Sequence, residues 1–166
     1  MKKTKIITLK RDEHKSITLF DSGVYEIVLD GEGAEVTLCG AFEATGSQKI
    51  AVTVIIRHSA AHTRSNTLLK GVARGTAHLS FTGRIIVGEK CPDTNAFLTE
   101  RILLLSDTAH AEAVPDLEIL TDDVKCSHAA SISHIPENQL FYLMTRGLTR
   151  ETAEKLIVEG FLQLQQ

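Results

Sequence analysis

From Lys5 to about Ile132 the chain is written in short runs in which apolar positions alternate with polar ones or follow one another directly. These runs are 6–9, 16–20, 24–29, 34–42, 50–56, 67–74, 77–87, 94–105, 109–114 and 117–120. Val, Ile and Thr dominate them, which suits a pleated surface buried on one side. Gly with Asp, Asn or Ser punctuates them: Asp21-Ser22-Gly23, Asp30-Gly31-Glu32-Gly33, Gly46-Ser47 and Gly88-Glu89. No stretch of this region carries the 3.6-residue period of a helix. Many short strands with regular turns make a sandwich, a barrel or a β-solenoid. An internal echo favours the last. Leu68-Leu69-Lys70-Gly71-Val72 resembles Phe81-Thr82-Gly83-Arg84-Ile85 one strand and turn later, and Gly40 occupies a similar slot. The echo points to stacked coils of a β-helix.

The period changes near the end. Pro136 is placed as a first helical residue, with Glu137 beside it to complement the helix dipole. A short helix is predicted over Glu137–Thr145, and Arg146-Gly147 breaks it. Thr149 caps a second helix with Glu151 in its first turn. There Ala153, Leu156, Ile157, Gly160, Phe161 and Leu164 fall on one apolar face. The expected organisation is a β-domain over 1–132 and a helical segment over 133–166.

Composition narrows the function classes. The chain has 166 residues, long enough for one core without disulfides. Aromatics are 5% with no Trp, too few for base-stacking platforms or sugar-binding walls. Lys plus Arg number 18 against 21 Asp plus Glu, a net charge of -3 that argues against nucleic-acid and membrane-surface partners. The basic start lacks the apolar core of a signal peptide, and no apolar run approaches the ~20 residues of a membrane span. A cytoplasmic protein is expected. Cys39, Cys91 and Cys126 are odd in number and form no CxxC pair, so free thiols are expected. Packing inside a coil is the expectation for Cys39, and a loop thiol for Cys91.

Four constellations could carry chemistry. Gly83-x4-Gly88 has Glu89 where a P-loop needs Lys, and no helix pattern follows. His58-x3-His62 lies in strand-and-turn context, so the expectation is turn-exposed polar histidines rather than metal ligands. Asp116, Glu118, Asp122 and Asp123 flank one strand, where an acidic solvated turn is expected. They would serve a glycoside hydrolase only if two of them faced each other across a cleft. In Cys126-Ser127-His128, positions i and i+2 of a strand share a face. Thiolate and imidazole would project together, as a soft ligand pair for iron, copper or zinc, as a nucleophile with its base, or as a buried Cys beside a hydrogen-bonded His. One Cys and one His fill only part of a metal shell.

The stretch Pro115–Phe161 resembles the C-terminal signature of the SufB/SufD family of the SUF system, which assembles iron–sulfur clusters. DDVKCSHAAS at Asp122–Ser131, QLFYLMTRG at Gln139–Gly147 and the terminal Gly160-Phe161 carry the resemblance. Upstream, Arg57-His58 to Ser65, Gly71, Phe81-Thr82-Gly83 and Ile85–Val87 also resemble the family's core. Cys126 and His128 match the Cys and His of the SufD stretch. Ser127 and Ala129 stand where SufB carries glutamates, and Ala109 where SufB has an interface cysteine. The chain therefore resembles SufD more than SufB, in a compact form. Family members are typically longer.

The resemblance implies a mainly β fold, a right-handed parallel β-helix with two C-terminal α-helices. It implies a scaffold rather than an enzyme, docking a SufC-like ABC ATPase through Leu148, Ala153, Leu156, Ile157 and Phe161. It implies pairing through the β-helix end with a SufB-like chain or a second copy. Cys126 and His128 would there meet iron or a nascent cluster, both ligands losing a proton to bind. The alternatives are a β-helix assembly module that binds partners but no iron, and a cytosolic β-helix carbohydrate-active enzyme using Asp116, Glu118 or Asp122.

Overall fold

The computed structural model describes residues 4–164; the basic start at Met1–Lys3 and residues 165–166 lie outside them. Ten strands are followed by two helices. They are β1 (Thr4–Leu9), β2 (His14–Leu19), β3 (Gly23–Leu29), β4 (Glu35–Ala44), β5 (Lys49–His58), β6 (Arg64–Ala73), β7 (His78–Val87), β8 (Thr94–Leu104), β9 (His110–Ile119), β10 (Val124–His134), α1 (Glu137–Thr145) and α2 (Arg150–Leu162). Odd strands form one sheet in the order β1-β3-β5-β7-β9, even strands the other, β10-β8-β6-β4-β2. Every pairing is parallel. The chain thus winds as a parallel β-helix, laying one strand on each wall per coil.

The winding explains the alternation. On each wall every second side chain points between the sheets, giving columns such as Val52, Val54 and Ile56 on β5 above Phe81 and Ile85 on β7. Phe42 and Phe81 meet edge-on across the core, 5.7 Å between centroids. Successive coils repeat after about 30 residues: Thr53 stacks on Thr82 and Arg64 on Asn95. The echo between Leu68–Val72 and Phe81–Ile85 is therefore not a coil repeat. Those segments lie on β6 and β7, on opposite walls half a coil apart. Gly40 and Gly71 are not stacked either, since Gly71 pairs with Phe42. The runs 109–114 and 117–120 join into one strand, β9, through Pro115. Pro115 is tolerated because β9 is an edge strand.

The helices cover part of the even wall's outer face. Val72 and Leu103 point outward there and are buried beneath Ile135, Leu140, Ala153 and Val158. Lys70 ties α2 down, donating to the Gln163 carbonyl at 2.7 Å with its ammonium 5.7 Å from the Phe161 ring centroid. Thr149 caps α2 as expected, its hydroxyl accepting from the Thr152 N–H at 3.2 Å. Pro136 is the N-cap of α1, in extended geometry, rather than its first helical residue. The single apolar face expected on α2 is divided. Ala153 and Val158 are buried, Ile157 and Phe161 are half-buried, and Leu156 points to solvent. Docking on the wall selects a narrower stripe than the sequence offers.

Candidate functional site

The last coil, formed by β9 and β10, has neighbours on one side only. Its inward residues continue columns that are otherwise fully enclosed. Ile85, Val87 and Ile102 are buried, whereas their register partners Leu117, Ile119 and Ile132 are 43%, 41% and 42% exposed. Core-type side chains therefore line an open end of the β-helix.

Cys126 and His128 lie on that inward face, on β10 beside Ala96 and Leu98 of β8. The shared face expected from their spacing is present, and β-geometry sets their backbones about 6.6 Å apart. Burial pushes the Cys126 thiol up, partly offset by a backbone hydrogen bond with Ala96. The imidazole of His128 is 2% exposed and points at Glu100, with Nε2 3.5 Å from Oε2. Glu100 is fully buried. None of the four polar atoms of this pair has a hydrogen-bond partner. Opposite, on β7, Gly83 leaves the room they occupy. A Cβ there would stand 2.8 Å from Glu100 Oε1, His128 Cε1 and Leu98 Cδ2. Among the described residues no three His, Cys, Asp or Glu side chains converge on one point.

Glu100 escaped the sequence reading. Its signal was a carboxylate at an inward position of an alternating strand, between Leu98 and Ile102. Gly83 stands in the mismatched P-loop spacing and in Phe81-Thr82-Gly83, and what it accommodates comes from the facing wall.

The other candidates resolve locally. His58 is not turn-exposed: it ends β5 facing inward, fully buried. Its Nδ1 lies 2.8 Å from Thr63 Oγ1 and its Nε2 2.9 Å from Ser65 Oγ. Thr63 donates its own proton to the Ala60 carbonyl, which assigns the His58 proton to Nδ1 and makes Ser65 the donor to Nε2. Burial lowers the His58 pKa to about 4. His62 is exposed, in a left-handed turn conformation at φ 58°, and bonds Asp93 at 3.0 Å. Arg84 pairs with both Asp116 at 3.0 Å and Glu118 at 2.6 Å on the outer face of the odd wall. These carboxylates neutralise one cation rather than face each other across a cleft. Cys39 points outward from β4, 3.6 Å from the Thr18 hydroxyl, instead of packing inside a coil. Cys91 is in a loop but buried, donating to the His58 carbonyl at 3.6 Å, and burial raises its pKa. Gly88 leads into a turn rather than a helix, as its mismatch to a P-loop implied.

On the helices, Leu148, Ile157 and Phe161 are half-buried and Ala153 is buried. Leu156 is 51% exposed, and α1 adds exposed Phe141, Tyr142 and Met144. No described helix is long and apolar enough to cross a membrane.

Residues 22–161 match the model of the SUF system FeS cluster assembly SufBD core domain. The chain belongs to the SufBD family. An iron–sulfur cluster assembly SufBD family protein of Mycobacterium leprae is 32% identical over 139 residues, covering 79% of this chain and 36% of that protein. One from Mycobacterium tuberculosis H37Rv is 32% identical over 139 residues, 79% of this chain and 35% of its own length. Another from the same strain is 37% identical over 106 residues, 64% of this chain and 12% of its own length. The chain thus spans about a third of the first two SufBD relatives. The SufBD match includes every strand from β3 onward and both helices up to Phe161, so the open coil and the Glu100–His128 pair lie within it.

Proposed function

We propose that the chain is a SufD-like, non-enzymatic scaffold of an iron–sulfur assembly complex in the cytoplasm. Its open β-helix end meets a SufB-like chain or a second copy, with Cys126 and His128 presented there to iron or a nascent cluster. Its C-terminal helices dock an ABC-type ATPase, whose nucleotide cycle would shift the helices and so the interface. The observation that carries this reading is the terminal coil. Apolar residues that elsewhere form the core are uncovered, with a thiol and an imidazole on the same face. Covering Leu117, Ile119 and Ile132 removes apolar area from water, and the same closure shields immature iron from water and oxygen.

For the ATPase, the exposed set Leu156, Tyr142, Phe141 and Met144 is the surface free to be covered. The half-buried Leu148, Ile157 and Phe161 support it from beneath, and Ala153 holds the helix on the wall. The test is anaerobic co-purification with the SUF ATPase of the same cell. Leu156→Asp should abolish capture while the circular dichroism melt stays unchanged. Capture equal to the unmutated chain would overturn the docking assignment. The reading without iron has one point in its favour: burial pushes the Cys126 thiol pKa up, which disfavours the thiolate a metal would need. In that case the Cys126→Ser, His128→Gln double variant would sustain cluster assembly in cells.

A further inference from the structure

A carboxylate and an imidazole, each almost wholly enclosed and each lacking any hydrogen-bond partner, form an unusual arrangement. Buried polar groups are almost always satisfied, and an unsatisfied carboxylate inside an apolar coil is strongly disfavoured. Packing does not require Glu100. Its column neighbours Leu69 on β6 and Ala130 on β10 are apolar, as are Leu98 and Ile102 along its own strand. Nor is the pair a good hydrogen bond. At 3.5 Å the Nε2–Oε2 separation exceeds the usual range, and both His128 nitrogens remain unpaired.

The same separation suits two ligands of one ion. With metal–nitrogen and metal–oxygen bonds of about 2.1 Å, adjacent donors of a tetrahedral site lie about 3.4 Å apart. Space for the pair is built in, because any side chain at Gly83 would collide with both residues. Ala130, the register partner of Glu100 on the last strand, is small, so the approach from the open end is not filled by a large side chain.

We propose that Glu100 and His128 are the two protein ligands that one chain gives to a divalent first-row transition cation at the open end of the β-helix. Carboxylate with imidazole is a hard-to-borderline donor set suited to Fe2+, Mn2+, Co2+ and Zn2+. Water completes the coordination. Cys126 stands two residues along the strand, outside this first binding event, and its thiol joins only when a sulfur-rich species arrives. The inference deepens the iron-handling part of the proposed function and rests on that reading for the identity of the cation as iron. The donor pair rests on the geometry alone.

The experiment is anaerobic titration of the full chain with Co2+ alone. Visible absorption follows uptake, and ¹⁵N-histidine spectra of the unmutated protein follow the His128 ring directly. The expected result is saturable uptake with paramagnetic loss of the His128 resonance and no thiolate charge-transfer band. Glu100→Gln should weaken uptake by about tenfold or more. Cys39→Ser, on the outer face of β4, should leave it within about threefold. Gly83→Ala, which pushes the pair apart without removing a ligand, should weaken it as well. No uptake by the unmutated chain would overturn the proposal. So would uptake indifferent to Glu100→Gln, or a thiolate band that disappears in Cys126→Ser. ATPase capture on the same samples separates the two readings. Capture without Co2+ uptake sinks the metal pair and leaves the scaffold reading, whereas uptake without capture does the reverse.

Discussion

At the scale of single residues, the coil interior holds two imidazoles with opposite treatment. His58 has both nitrogens satisfied by Thr63 and Ser65, whereas His128 has neither satisfied by a hydrogen bond. His58 is therefore a stability element. His58→Ala would open a cavity and leave the buried Ser65 hydroxyl without its partner, destabilising the fold by about 2 to 4 kcal/mol in urea titrations at pH 7. Its folded pKa of about 4 lies below the unfolded value of 6.5. As pH falls, the unfolded chain takes up the proton first. Stability should decline from pH 6.5 and lose about 3 kcal/mol by pH 4, and His58→Gln should flatten that part of the profile. Glu100 and His128 have no such partners, which is the basis of the metal pair proposed above. Gly83→Ala should lower stability by about 1 to 3 kcal/mol in the same assay, because two walls and a buried pair must move to admit one methyl.

At the scale of elements, the helices were the most legible part of the sequence. The bounds Glu137–Thr145 and the Thr149 cap are local properties: a proline, a cap and a glycine break act within a few residues of themselves. Thr149→Ala should destabilise α2 by about 1 kcal/mol, seen as a lower melting midpoint. Arg150 binds Glu137 at 3.0 Å and joins the starts of the two helices, and that bond holds the Glu137 carboxyl below its usual range. What the helix pattern did not reveal was which apolar residues meet the wall. Leu156 shares a helical face with Ile157 by periodicity, yet faces solvent once α2 lies across Val72 and Leu103. The two variants should therefore differ. Leu156→Asp affects partner capture alone, whereas Phe161→Asp also removes the contact with Lys70 and lowers the melting midpoint.

At the scale of the whole molecule, a β-helix whose last coil is bare has an end that invites association. Parallel edge strands expose unpaired backbone groups as well as apolar side chains. Sedimentation of the chain should show a concentration-dependent dimer, or a heterodimer when a SufB-like chain is supplied. Leu117→Arg with Ile132→Arg should leave a folded monomer. A monomer at all concentrations, with no SufB-like chain retained, would remove the open end from the proposed function.

Alternation of apolar and polar residues, turn glycines and cap residues determined that this chain makes strands and then two helices, because each of those signals acts over a few residues. The same signals placed Cys126 and His128 on one face, since a strand's period of two needs no partner to define it. The tertiary structure alone decided which strands stack. Coil neighbours lie about 30 residues apart, and the lengths of all the intervening turns set their register. That register enclosed His58 and turned Cys39 outward. It also brought Glu100, His128 and Gly83 together from three strands and two walls, a meeting that no local pattern encodes.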